Sequence, residues 1–143
     1  MSANRQSIQR LAFAGLIPFV LLAALVWLLY GNEGTHPFVT DALSKYAAVI
    51  LSTLAGIHWG LAFKVSDKEP MNLAWPVALP SLAWIASLLP PHAGLVVDGV
   101  LLITSYAVDR RFYREHGMGD WLTLRFRLTA VASMSCFLAA GAT

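Results

Sequence analysis

The sequence has little charge and almost no cysteine. Only 13% of its residues are charged, whereas soluble domains typically carry ~25%. A chain of 143 residues with so few charges does not supply a soluble surface, and its apolar content excludes a disordered protein. The net charge of +2 is too balanced for a nucleic-acid-binding protein. The single cysteine, Cys136, excludes a disulfide framework and a cysteine-based zinc site.

Long apolar runs take the place of charge. Hydrophobic residues make up 57% of the chain, and the mean hydropathy is +0.62. A helix needs ~20 apolar residues to cross a bilayer core of ~30 Å. The sequence therefore predicts an all-α, polytopic membrane protein, a five-transmembrane-helix bundle in a single domain over residues 1–143. The helices are predicted at about 11–30, 42–63, 71–89, 93–108 and 124–140. Short connections favour antiparallel sequential neighbours.

Basic residues are distributed asymmetrically between the two sets of connections. Nine of the ten lysines and arginines fall on the N-terminal side of the predicted membrane, and Lys45 is the exception. Cytoplasmic loops carry the excess of positive charge in membrane proteins. The N-terminus is therefore predicted inside and, after an odd number of crossings, the C-terminus outside.

Small residues recur at every fourth position of the second predicted helix, at Ser44, Ala48, Ser52, Gly56 and Gly60. Such a stripe allows another helix backbone to approach closely. We expect it to pack inside the bundle against the first or third helix. The alternative is homodimerisation through the Gly56/Gly60 face.

His58 is predicted to lie within a span and to point almost opposite this stripe. An intramembrane imidazole either bonds to a neighbouring helix or has a ligand, proton or quinone role. The other histidines fall outside the spans, so haem ligation by two histidines within the bundle is unavailable.

The fourth helix places Asp98, Leu102, Ser105 and Asp109 on one face. Asp98 is predicted either to face the interior, with or without a proton, or to lie near the outer surface. Asp109 is predicted to form an ion pair at the inner border. From their depth in the membrane, we predict a polar cluster of His58, Tyr106, Asp109 and Arg125, in which Tyr106 or Ser105 bonds to His58.

Several strings resemble a known membrane family. They are residues 14–20 (AGLIPFV), 46–62 (YAAVILSTLAGIHWGLA) and 80–84 (PSLAW), with Trp121 and the pairs Leu124-Arg125 and Leu128-Thr129. The chain resembles domain-of-unknown-function family 3429, which includes the eukaryotic transmembrane protein 69. The resemblance implies five helices in a bacterial cytoplasmic (inner) membrane, or in the mitochondrial inner membrane of a eukaryote, and it implies no reaction. Where the family has Pro-Ala before the tryptophan, this chain has Gly119-Asp120, so only Trp121 transfers.

No catalytic motif and no phosphate-binding loop is present, and the sequence does not reveal whether a cofactor is bound. The main hypothesis is a non-enzymatic accessory or assembly partner in the lipid bilayer, working with other membrane proteins. The alternative is a binder or carrier of a small amphipathic ligand, quinone- or porphyrin-like. Its candidate residues are His58, Trp59, Tyr106, Asp109, Arg125, Trp84 and Asp98. A third hypothesis is proton or ion transfer through Asp98 and Asp109. A pocket near His58 would favour the ligand, and an exposed groove of small residues would favour the accessory role.

Overall fold

The computed structural model describes residues 3–64 and 73–143, and the regular structure in those ranges is helical. This confirms the predicted all-α class. The helices are α1 (Ala3–Ala14), α2 (Ile17–Leu28), α3 (His36–Lys64), α4 (Ala74–Leu88), α5 (Pro91–Glu115) and α6 (Leu122–Ala140), with a 3-10 turn at Gly119–Trp121 before α6.

The first predicted helix is two helices separated at Gly15 and Leu16. Pro18, near the start of α2, has no backbone N–H and displaces the carbonyl one turn before it. The nearby Gly15 carbonyl instead accepts a hydrogen bond of 2.7 Å from the Tyr46 hydroxyl of α3. Together α1 and α2 supply one apolar span, Asn4–Leu28. The helix begins earlier than predicted because the polar residues before Leu11 remain helical outside the apolar run.

Two other helices are longer than predicted. Helix α3 begins six residues early because Asn32 Oδ1 accepts hydrogen bonds from the backbone N–H groups of Gly34 and Thr35 and orders the turn before it. Helix α5 continues two turns past residue 108, to Glu115. Its buried face extends there through Asp109 and Tyr113, which lie four residues apart.

Four helical segments are long and apolar enough to cross a membrane in the part of the chain that the structure describes. The fifth apolar helix, α4, has 15 residues, about 22 Å at 1.5 Å per residue. It is thus shorter than the ~30 Å core. Residues 71 and 72 of its predicted range lie outside the described residues.

Side-chain bonds show which helix ends meet. At one end, which we call the histidine end, three side chains bond to carbonyls at the end of α6: Trp27 Nε1 to Leu138 (2.8 Å), His36 Nε2 to Ala142 (2.8 Å) and His92 Nδ1 to Ala140 (2.9 Å). At the opposite, arginine end, the Arg5 guanidinium lies 5.2 Å from the centre of the Trp121 ring. Helices α3 and α5 therefore start, and α2 and α6 end, at the histidine end.

Each helix from α2 to α6 packs against its neighbours in the chain, and α2 also contacts α6, which closes a ring. Helix α3 contacts α5 across the middle of the ring. The core there is apolar and includes Phe19, Leu43, Leu51, Leu79, Leu95 and Leu102. This arrangement aligns polar residues of α3, α5 and α6 at two depths.

The small-residue stripe of α3 does not pack inside the bundle as predicted. Ser44 is buried, but Ser52, Gly56 and Gly60 are exposed. A Cβ atom added at Gly56 or Gly60 would meet no heavy atom within 4 Å. The physical reason is helical drift, because residues four apart are rotated by about 40° about the helix axis. A stripe that starts in the core at Ser44 therefore reaches the outside at Gly56.

Candidate functional site

Asp109 of α5 lies at the centre of a buried polar cluster. Its Oδ1 lies 2.6 Å from His58 Nε2 of α3, and its Oδ2 lies 2.8 Å from Arg125 Nη2 of α6. All three residues are at most 5% exposed. The carboxylate therefore joins three helices and balances the guanidinium charge without help from solvent.

Arg125 makes two more hydrogen bonds within this cluster. Nη2 also donates to Ser105 Oγ at 3.0 Å, and Nη1 donates to Thr129 Oγ1. Its Nε is buried and has no hydrogen-bond partner among the described residues. We call His58, Ser105, Asp109, Arg125 and Thr129 the ion cluster.

His58 is enclosed rather than open to a ligand. Its ring stacks on Phe112 with the centres 3.9 Å apart, and Phe112 is in turn 4.3 Å from the His116 ring. Because an ionised carboxylate only accepts hydrogen bonds, His58 carries its proton on Nε2. Its partner is Asp109, and the prediction that Tyr106 or Ser105 fills this role is wrong.

Four predicted site residues lie outside the ion cluster, and three of them are aromatic. Tyr106 is half-buried and packs edge-on against Phe126, with the rings 5.7 Å apart. Trp59 is half-buried beside Phe63. Trp84 is exposed, on α4. The structure thus brings together His58, Asp109 and Arg125, while the ligand-binding role of the whole predicted set remains a prediction.

Asp98 lies nearer the histidine end and is fully buried, so its side chain faces the interior of the bundle. Ser44 Oγ donates to its Oδ2 at 3.1 Å. The side chains of Leu51 and Leu102 are buried at the levels between this pair and the ion cluster. Asp98 and Ser105 are seven residues apart, about 10 Å along the helix. On α3 and α5, an apolar layer of Leu51 and Leu102 therefore separates the two polar sites, which argues against transfer between Asp98 and Asp109.

Two apolar cavities lie beside the ion cluster, with volumes of about 260 and 370 Å³. Both are lined by Ala12, Leu54, Arg125 and Leu128. The smaller cavity continues to Phe19 at the α1–α2 break, and the larger one continues to Trp121 at the arginine end. Leu54 and Leu128 are not among the site residues predicted from the sequence. The available signal was Pro18, because a kink makes room between helices.

A groove of about 380 Å³ follows the outer face of α3 and α4. Ala48 and Ser52 line it from α3, and Pro80, Trp84 and Ser87 line it from α4. Gly56 follows one turn later on the exposed face. The small-residue stripe therefore forms part of an open surface.

No group of three or more histidine, cysteine or acidic side chains suited to a metal ion occurs in residues 3–64 and 73–143. His36 and His92 are instead engaged with the carbonyls at the end of α6.

Comparison with known proteins places the chain in a family. Residues 4–141 match the family described as "Protein of unknown function (DUF3429)". The chain is 38% identical to Transmembrane protein 69 of Xenopus tropicalis over 104 residues, which are 67% of this chain and 40% of that relative. It thus spans about two fifths of that relative's length. No solved structure matches the chain. These matches confirm the resemblance drawn from the sequence motifs.

Proposed function

This chain belongs to the DUF3429 family of membrane proteins of unknown function, and from that premise we propose that it is a non-enzymatic accessory protein that binds a transmembrane helix of a partner membrane protein. The observation that carries the proposal is the exposed small-residue face of α3. Its own bundle leaves Gly56 and Gly60 uncovered. In a bilayer, glycine faces favour close contact between helices, which gives more van der Waals contact than lipid tails provide.

The serine hydroxyls of this face are already hydrogen-bonded within their own helices. Ser52 Oγ donates to the Ala48 carbonyl at 3.0 Å, and Ser87 Oγ donates to the Trp84 carbonyl at 2.6 Å. A partner helix therefore needs no matching polar residue. The groove beside Trp84 gives the partner a place to insert a side chain, and the short α4 leaves room along its length.

Photo-crosslinking in native membranes tests this proposal. A crosslinking residue at Ser52 should give a discrete protein adduct, and the same residue at Ala107, exposed on α5, should give none. Adding Gly56→Leu should abolish the Ser52 adduct, whereas Ala107→Leu should leave it unchanged. Lipid adducts alone at Ser52 would contradict the proposal. An adduct of twice the chain's mass would replace the partner with a second copy of this chain.

Gly56→Leu should weaken binding of the partner helix without destabilising the fold of this protein. Because nothing lies within 4 Å of an added Cβ, the melting temperature of the purified variant should equal or exceed that of the wild type, helped by the better helix propensity of leucine. A large fall in melting temperature would show that the glycine face is buried within the bundle after all.

The second candidate function is binding of a small amphipathic ligand, quinone- or porphyrin-like. The two apolar cavities beside Arg125 favour it. The polar end of such a ligand would lie near Arg125, which lines both cavities, and not near His58, whose ring is stacked on Phe112. Leu54 lines both cavities, so Leu54→Trp should fill them.

Mass spectrometry of the small molecules that co-purify with the protein in mild detergent tests this second candidate function. A non-phospholipid amphiphile should co-purify with the wild type and with Met134→Trp, which enlarges a side chain exposed on α6, but not with Leu54→Trp. Equal amounts of the same amphiphile in all three proteins, or phospholipid only, would exclude this candidate.

The membrane in which we propose that this protein resides follows from its family resemblance. We infer a bacterial cytoplasmic membrane, or the mitochondrial inner membrane in a eukaryote, with residues 1–143 acting as one transmembrane domain. The resemblance of the motifs supports the location, and the closed ring of helices supports the single domain.

A further inference from the structure

Asp98 is a buried carboxyl group without a cationic partner among the described residues. Its side chain is fully inaccessible. Oδ2 accepts one hydrogen bond, from Ser44 Oγ, and Oδ1 has no partner in residues 3–64 and 73–143. An ionised carboxylate in such a place is strongly disfavoured unless a charge or several donors compensate it.

Asp109 provides an internal comparison. It lies on the same face of the same helix, eleven residues further along, and is equally buried. Both of its oxygens have partners, one of them the Arg125 guanidinium. A negative charge on Asp109 is therefore compensated by Arg125, whereas a negative charge on Asp98 would have no compensating partner among the described residues.

The helices around Asp98 offer no compensating charge in their described parts. On α3, Asp41 and Lys45 pair with each other at the surface. Helix α4 has no titratable side chain, and α6 contributes the buried thiol of Cys136. Two oxygen atoms lie beside the preceding turn of α5. A Cβ added at Gly94, one turn before Asp98, would lie 2.7 Å from the Ala86 carbonyl oxygen and 3.1 Å from Ser44 Oγ.

That carbonyl belongs to the last turn of α4. The C-terminal end of a helix carries partial negative charge. A negative carboxylate close to it would be repelled, whereas a neutral carboxylic acid would not.

We propose that Asp98 is a proton-binding site in the membrane interior. Oδ1 holds the proton, Oδ2 is the carbonyl oxygen that accepts from Ser44, and Asp109 remains ionised in its pair with Arg125. The ligand of the Asp98 site is thus a proton. The apolar layer of Leu51 and Leu102 isolates this proton from the ion cluster.

Infrared spectroscopy of the full chain in lipid vesicles at neutral pH tests the proposal. The wild type should show the C=O stretch of a protonated carboxylic acid. Asp98→Asn should remove this band, and Glu115→Gln, the control at an exposed carboxylate of the same helix, should leave it in place. A wild type without the band, or a band that survives Asp98→Asn, would overturn the proposal.

A second variant keeps the test informative if Asp98→Asn does not fold. Ser44→Ala removes the hydrogen bond to the carbonyl oxygen, so the same band should move to higher frequency. Thr104→Ala is the control, because that hydroxyl is exposed and bonds within its own helix, to the Val100 carbonyl. A band unmoved by Ser44→Ala would contradict the assignment to Asp98.

Discussion

Asp109 accepts hydrogen bonds from His58 of α3 and Arg125 of α6. Because Asp109 and Arg125 form a buried ion pair, the effects of replacing them on the free energy of unfolding should be coupled. Removing one partner of a buried ion pair leaves the other charge uncompensated, at a cost of about 3–5 kcal/mol. Asp109→Asn and Arg125→Gln should each destabilise the protein by that order. The double variant should lose less than the sum, because it leaves neither charge stranded. Chemical denaturation in detergent measures the cycle.

The exposed pair Arg111–Glu115, also on α5, is the control for this cycle. Its atoms are 3.3 Å apart, but its side chains are 87% and 58% exposed. Exposed pairs of this kind are worth about 0.3–0.5 kcal/mol, so Arg111→Gln and Glu115→Gln should be nearly additive. Additive effects in the Asp109–Arg125 cycle would mean that the two side chains do not meet.

Depth and angle explain which site residues the sequence could predict. Asp109 and Arg125 were predictable because an unpaired charge inside a membrane is disfavoured, and both lie at one level. Tyr106 has the right depth but the wrong angle. It follows Ser105 by one residue, about 100° around the helix, and so leaves the face that Ser105 shares with Asp109. The cavities depend on how far α1 and α2 diverge at Gly15, which no local pattern specifies.

At the scale of the helices, two glycines of α5 determine how closely its neighbours approach. A Cβ added at Gly94 would collide with the Ala86 backbone of α4, and one at Gly99 would lie 2.5 Å from the Phe137 ring of α6. The glycines that the sequence analysis singled out, Gly56 and Gly60, have no such neighbours. Spacing alone identified a stripe on α3, but the bundle uses isolated glycines on α5.

Gly94→Ala and Gly60→Ala should therefore change stability in opposite directions. Overpacking against a backbone carbonyl that does not yield costs about 1–3 kcal/mol, so Gly94→Ala should lower the free energy of unfolding. Gly60→Ala adds a methyl group in open space and gains up to ~1 kcal/mol of helix propensity. Thermal denaturation in one detergent compares them. A stabilised Gly94→Ala would show that α4 and α5 lie further apart.

The sequence predicts the presence of the helices better than the residues at which they begin and end. Hydropathy locates the part of a helix that is in lipid, whereas the ends depend on local bonds. Asn32 orders the turn before α3, and Tyr113 continues the buried face of α5 past its apolar run. Pro18 indicated a bend, but the separation of α1 from α2 also depends on the Tyr46 hydroxyl reaching the Gly15 carbonyl from another helix.

For the whole molecule, the two ends of the bundle differ in chemistry. At the histidine end, histidine and tryptophan side chains form hydrogen bonds with carbonyl groups at the end of α6. Among the described residues, the lysine of that end is Lys45, which pairs with Asp41. The arginine end carries Arg5, Arg110, Arg111, Arg114 and Arg127, and Arg125 lies buried just inside it. The helix ends that meet in space thus agree with the division of basic residues in the sequence.

This asymmetry predicts the orientation of the bundle in the membrane. If positive residues stay inside, a reporter inserted at Lys68 should be cytoplasmic, and reporters fused at Glu33 and Thr143 should both be on the far side. Glu33 serves as the control, because the start of α3 and the end of α6 are joined through His36 and Ala142. Lys68 and Thr143 on the same side would contradict the arrangement in which α3 and α4 both connect the histidine end with the arginine end. All three reporters inverted would keep the fold but reject the role of the basic residues in orienting it.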